Sequence, residues 1–190
     1  MSSTPDSGIF RFPLALSPSE ELSFYCSFHA GVSNPNDLFQ LLQEATPKSL
    51  AILDATKIVS LHQLLVAANL AVSRKLEAPS AWDVVYCAAP SNHLGHILRD
   101  FSFSEPSTEK ADADVIVLWI AEPGHEQAYS ELLEYYKIPK SRETTESYLS
   151  QRAASIDNQF FQIYKLTQQE VLSSSLEASV LTRIATKMHL

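Results

Sequence analysis

A chain of 190 residues with 45% hydrophobic and 19% charged content holds enough apolar material for one sizeable core and too few charges for long solvated faces. Its net charge of −8 repels polyanions, and no dense basic stripe is visible, which argues against an autonomous nucleic-acid binder. No apolar stretch approaches the roughly 20 residues that span a bilayer, so no membrane segment is expected.

Residues 1–19 are rich in Ser and Pro and lack the basic start and apolar run of a signal peptide. They read as a mobile tail or as a first edge strand, ahead of a single domain over 20–190. Aromatic and small residues from Leu22 to Ala30 suit a strand. Asn34-Pro35-Asn36-Asp37 then opens a helix that Pro47 closes. Leu50 to Leu53 is a short apolar strand ending near Asp54.

Ser60 is placed to cap the next helix, LHQLLVAANLAVSRKLEA, which stops before Pro79. Leu61, Leu64, Leu65, Ala68 and Val72 form its expected core stripe, while Val66, Ala67 and Leu70 fall largely off it. A helix so apolar on all sides is either fully internal or covered by a partner. Trp82 to Ala89 reads as a buried strand, and Ser91 as the cap of a helix through Phe101.

The polar run from Ser102 to Asp114 reads as a mobile loop, followed by a strand over Val115–Ile120 and a helix over His125–Tyr136. Lys137 to Glu146 is a polar connection, Tyr148 to Phe161 a weakly periodic helix, and Ile163 to Leu166 a short β-like run. The last helix starts either at the Thr167-x-x-Glu170 capping box or at the later serines, with Leu176, Val180 and Ile184 as its core stripe. Strands and helices thus alternate, giving an α/β or α+β single domain. Its central mixed or antiparallel sheet has four to five strands packed by several helices.

Catalytic patterns are missing from the sequence. Its four glycines, Gly8, Gly31, Gly95 and Gly124, are too dispersed for a phosphate-cradling loop or a nucleophile elbow. His93 and His96 lie at metal-compatible spacing without a third ligand, and Asp112 and Asp114 read as solvated loop carboxylates. Cys26 and Cys87 lack Cys-x-x-Cys spacing and read as buried reduced thiols in a cytosolic or nuclear protein. No enzyme activity, cofactor or metal is expected. Lys137, Lys140 and Arg142 beside Tyr135 and Tyr136 form the densest basic patch, but Glu131, Glu134, Glu143 and Glu146 surround it.

The run Gln63-Leu64-Leu65-Val66-Ala67-Ala68-Asn69-Leu70-Ala71-Val72 resembles the Q-x-L-V-A-A-N-x-A-V helix of the TPRKB (CGI-type) family. The segment Ile163 to Glu170, IYKLTQQE, is similar to that family's lead-in to its last helix, and Arg183 to Lys187, RIATK, to its ending. Pro90-Ser91-Asn92 with Leu94 and Phe101 fits between them, so the likeness runs in order from about Leu22 to the C-terminus. The resemblance implies a non-catalytic KEOPS (EKC) subunit that binds and regulates a PRPK-type kinase. Through it the chain would join the other KEOPS subunits in threonylcarbamoyl-adenosine modification of tRNA, in cytoplasm and nucleus.

Under that reading Val66, Leu70, Leu181 and Met188 are the candidate partner-binding residues, and Arg74 and Lys75 the candidate RNA contacts. The connection Arg74 to Trp82 is shorter than the family's and carries Glu77 and Pro79 in place of a Thr-Arg pair. Weak or indirect tRNA contact, including help with the 3′ CCA end, is therefore expected. The alternatives are an autonomous tRNA-binding module and a protein-interaction scaffold without RNA contact.

Overall fold

The computed structural model describes residues 8–14, 22–44, 50–74, 79–103, 112–140, 143–152 and 156–187. Four strands, β1 (Ile9–Leu14), β2 (Leu22–Ser33), β3 (Leu50–Asp54) and β4 (Asp112–Ala121), form one sheet in the order β1-β2-β4-β3. All three pairings are antiparallel. Of the two readings of the chain's start, the edge strand holds for Ile9–Leu14, where Phe12 faces Phe24 of β2.

Strand alternation sends side chains to two apolar layers. Phe24, Cys26, Phe28, Ala51, Leu53, Ile116 and Leu118 face one core, and Tyr25, Leu50, Ile52, Val115, Val117 and Trp119 face the other. Both faces are buried, which is why these strands read as nearly continuous apolar runs. Each large side chain removed from water in this way contributes about 1.5–3 kcal/mol.

Two helices cover the second face. In α1 (Pro35–Glu44), proline occupies the first helical position, where no amide hydrogen is needed, and Leu38, Phe39 and Leu42 point inward. In α5 (Glu126–Tyr135), Tyr129 and Leu133 do so. The first face receives α2 (Leu61–Arg74), α3 (Ala81–Ala88), α4 (Leu94–Phe101), α6 (Thr145–Arg152), α7 (Asn158–Tyr164) and α9 (Leu176–Thr186), each with side chains in that core. A short helix, α8 (Gln168–Ser173), lies between α7 and α9.

Several expectations are corrected. Trp82 to Ala89 is helix, not strand: Asp83 accepts from the Ser80 N–H at 2.7 Å and the Ser80 hydroxyl at 2.6 Å. That local closure starts α3, and Ala81, Val84, Val85 and Ala88 then fall on one buried helical face. Ile163 to Leu166 is not β-like. Tyr164 ends α7, and Lys165 turns the chain through a left-handed conformation with φ 52°.

The span Tyr148–Phe161 is two helices, α6 and α7, and α6 already begins at Thr145, inside the expected connection. The position before α4 belongs to His93, while Ser91 accepts from the His93 N–H at 3.1 Å. Asp112 and Asp114 are strand residues rather than loop. Their carboxylates accept from the Ser33 hydroxyl (2.8 Å) and the Gly31 N–H (3.1 Å), tying β4 to the end of β2. Both proposed starts of the last helix are used, Thr167 capping α8 and Ser175 capping α9.

At the centre of the first core sits a polar side chain. Gln63 is fully buried; its carbonyl oxygen accepts from the Val59 N–H at 3.0 Å, and its amide donates to the Ala88 carbonyl at 3.0 Å and to the Tyr164 hydroxyl. That hydroxyl in turn donates to the Lys57 carbonyl at 2.9 Å. One side chain therefore joins α2, the end of α3, α7 and the turn after β3. Gln63→Leu keeps the volume but strands Val59 N–H and Ala88 C=O, so urea unfolding should show a loss of roughly 2–4 kcal/mol.

Candidate protein-docking surface

Gln63 fixes how α2 is rotated about its axis. With Gln63 inward, the buried face consists of Gln63, Leu64, Ala67, Ala68 and Ala71. Only Leu64 and Ala68 of the expected core stripe lie on it. Leu61, Leu65 and Val72 flank it on one side and Val66 and Leu70 on the other, all half-buried against the core. The small inward residues let α2 approach α3 closely. The larger aliphatics are consequently turned toward the surface.

His62, Val66 and Leu70 follow at four-residue spacing and form one ridge. His62 lies 3.6 Å from Glu177 in the first turn of α9, which sets this side of α2 beside that helix. Leu181, one turn beyond Glu177, is also half-buried against the first core. Val66 and Leu70 of α2 and Leu181 of α9 are thus half-buried aliphatics on two helices that touch each other. Within α9 the expected core positions Val180 and Ile184 are buried, but Ser179 and not Leu176 completes the set. Met188 and Lys75 lie outside the described residues.

The sequence reading missed α8. This six-residue helix has no buried side chain, yet it carries Val171 and Leu172, and Leu172 is 88% exposed. Glu170 holds the helix in place. Its carboxylate accepts from the Thr167 N–H at 2.7 Å, the Thr167 hydroxyl at 2.9 Å and Arg183 of α9 at 2.6 Å. The Thr167 hydrogen bonds, with Arg183 adding to them, hold this carboxyl below its ordinary range. Its backbone carbonyl accepts the Ser173 and Ser174 hydroxyls. A short helix anchored at both ends while presenting its leucine to water is suited to contact another protein. The capping box followed at once by Val-Leu was the signal available in the sequence.

Arg74 is exposed at the end of α2, its guanidinium 5.2 Å from the centre of the Tyr86 ring. Lys187 lies 4.2 Å from the same ring centre and donates to the carbonyls of Tyr86 and Ser91. Burial depresses the Lys187 ammonium to about 8. Two cations therefore meet at one aromatic ring beside α2.

Among the described residues, no group of three or more His, Cys, Asp or Glu side chains could hold a metal ion, and no helix is long and apolar enough to cross a membrane. The imidazoles of His93 and His96 approach to 4.4 Å without a third ligand. Cys26 and Cys87 are free and buried, and burial raises both thiols, Cys26 to about 12. A groove of about 1350 Å³ has polar walls that include Lys57, Gln159 and Arg183; it is not lined by Val66, Leu70, Leu181 or Arg74.

A family model described as "Kinase binding protein CGI-121" matches residues 29–188. No curated protein matches the chain in a sequence search. With most of its length matched, the chain belongs to the CGI-121 family of kinase binding proteins.

Because Leu172 makes no buried contact, Leu172→Ser should leave stability within about 0.5 kcal/mol of the parent in urea unfolding. A larger loss would show that Leu172 itself packs against the core.

Proposed function

We propose that this CGI-121 chain is the non-catalytic, kinase-binding subunit of a KEOPS (EKC) assembly. It docks on a PRPK-type kinase or ATPase subunit through the aliphatic surface of α2, α8 and α9, and reaches the other subunits through that kinase. The observation that carries the reading is the rotation of α2, which leaves Val66 and Leu70 only half-buried, as Leu181 of α9 is, while Leu172 of α8 faces outward. Partly exposed aliphatics ringed by polar groups such as His62, Glu177 and Arg183 have the anatomy of a protein interface.

In this reading the chain supports threonylcarbamoyl-adenosine formation on tRNA by binding and regulating the kinase, in cytoplasm and nucleus. Direct tRNA contact is secondary. Arg74 beside Tyr86, next to Lys187 and with Lys75 following in sequence, offers cationic and aromatic groups of the kind that hold single-stranded RNA. The overall charge of −8 opposes strong binding by the isolated chain.

Leu172→Glu and Leu70→Glu are expected to raise the dissociation constant for the purified kinase subunit at least tenfold in calorimetry. Circular dichroism of the Leu172 variant should stay unchanged. Leu41→Glu, on the helix layer across the sheet, is the control and should bind normally. Normal binding by the folded Leu172 and Leu70 variants would remove this surface from the interface.

A further inference from the structure

The second core contains a hydrogen-bonded chain that the docking surface does not use. His29 on β2 is only 2% exposed. Its Nδ1 lies 2.6 Å from the Pro139 carbonyl and so donates to it, leaving Nε2 to accept the Ser27 hydroxyl at 2.7 Å. The Tyr129 hydroxyl, its single proton shared between the Ser27 oxygen at 2.8 Å and the Val117 carbonyl at 2.9 Å, completes the chain. Pro139 lies in the connection after α5, so the imidazole pins that connection to the sheet. The same stretch holds Lys137 in a left-handed conformation with φ 55°, a geometry that disfavours a side chain with a Cβ.

Among the described residues, the groups hydrogen-bonded to His29 carry no charge. Ser27, Tyr129 and the Pro139 and Val117 carbonyls are its neutral surroundings, and burial, which outweighs the pull of the Pro139 carbonyl, moves it below 6.5. Lys137 and Lys140 flank Pro139 and oppose a further cation. Glu134 is engaged by Lys140 at 3.6 Å. Asp114 sits on the other face of the sheet by strand alternation, as do Ile116 and Leu118. Protonated His29 could add one hydrogen bond toward Ser27, worth about 1.5–3 kcal/mol. Burying an unpaired cation costs several kcal/mol, so the charge term wins.

We propose that His29 is an acid-operated latch: its protonation releases the Tyr136–Lys140 connection from the sheet, and with it the fixed placement of Tyr136, Lys137 and Lys140. A cavity of about 250 Å³ between the end of β2, Leu38 of α1 and this connection is lined by Pro139, the residue whose carbonyl His29 holds. The released segment is local. The Ile138 N–H, bonded to the Leu133 carbonyl at 2.9 Å, reports its opening.

The sign follows from linkage. In the closed state His29 binds its proton only below 6.5, while in the open state it binds near 6.5. Closure is thus fully favoured above about pH 6.5 and weakens as pH falls below it, by at most about tenfold per pH unit for one proton and only until the closed-state imidazole is itself protonated. Amide exchange on the full chain between pH 7.5 and 5.5, expressed as protection factors, tests this.

Ile138 should lose protection progressively below pH 6.5, by no more than about tenfold per unit, while Val117 and Leu118 in β4 hold theirs. His29→Gln should flatten the Ile138 profile. Should that variant fail to fold, the imidazole titration of the parent chain, followed by NMR, replaces it and must fall below 6.5. A flat Ile138 profile in the parent, an equal loss at the β4 amides, or an imidazole titrating above 6.5 would overturn the latch.

Discussion

The structure depends on a glutamine buried where hydropathy would place a leucine. Gln63 uses both amide hydrogens and its carbonyl oxygen inside the first core, on Ala88, Tyr164 and Val59. A buried amide without partners is costly, so α2 can adopt only the rotation that satisfies it. That rotation brings alanines to the inside and leaves Leu65, Val66 and Leu70 half-exposed. A local demand for hydrogen bonds thus shapes the outer surface of the protein.

The same logic recurs at Glu170. Its carboxylate and carbonyl tie α8 to α9 and to the serines between them, although α8 adds only the half-buried Val171 to the core. Polar contacts hold in place an element whose Leu172 faces solvent. Pre-ordering of this kind lowers the entropy lost on association. It fits a chain whose family is defined by binding a kinase, and whose described residues gather no metal-ligating cluster.

Much of the architecture was legible in the sequence. The strands around Leu22, Leu50 and Val115 were marked by β-branched and aromatic runs, and α1, α5 and the caps at Ser60 and Thr167 by local chemistry. Trp82–Ala89 was misread because Val84-Val85-Tyr86 favours a strand by composition, while the Ser80-x-x-Asp83 box that decides for helix lies outside that window. The α2 stripe was misassigned because periodicity ranks leucine above glutamine, and only the partners of Gln63, distant in sequence, reverse that order. Leu172 escaped notice because a lone leucine before three serines has no period. Residues remote in sequence likewise make the His29 and Tyr129 chain.

The most direct measurement is side-chain carbene footprinting of the chain alone and in complex with its kinase subunit. The account predicts that labelling of Leu172, Leu70 and Val66 falls on complex formation. Leu41 of α1 and Tyr135 of α5, exposed on the opposite helix layer, should label equally in both states. Protection of Leu41 and Tyr135 with Leu172 and Leu70 unchanged would contradict it.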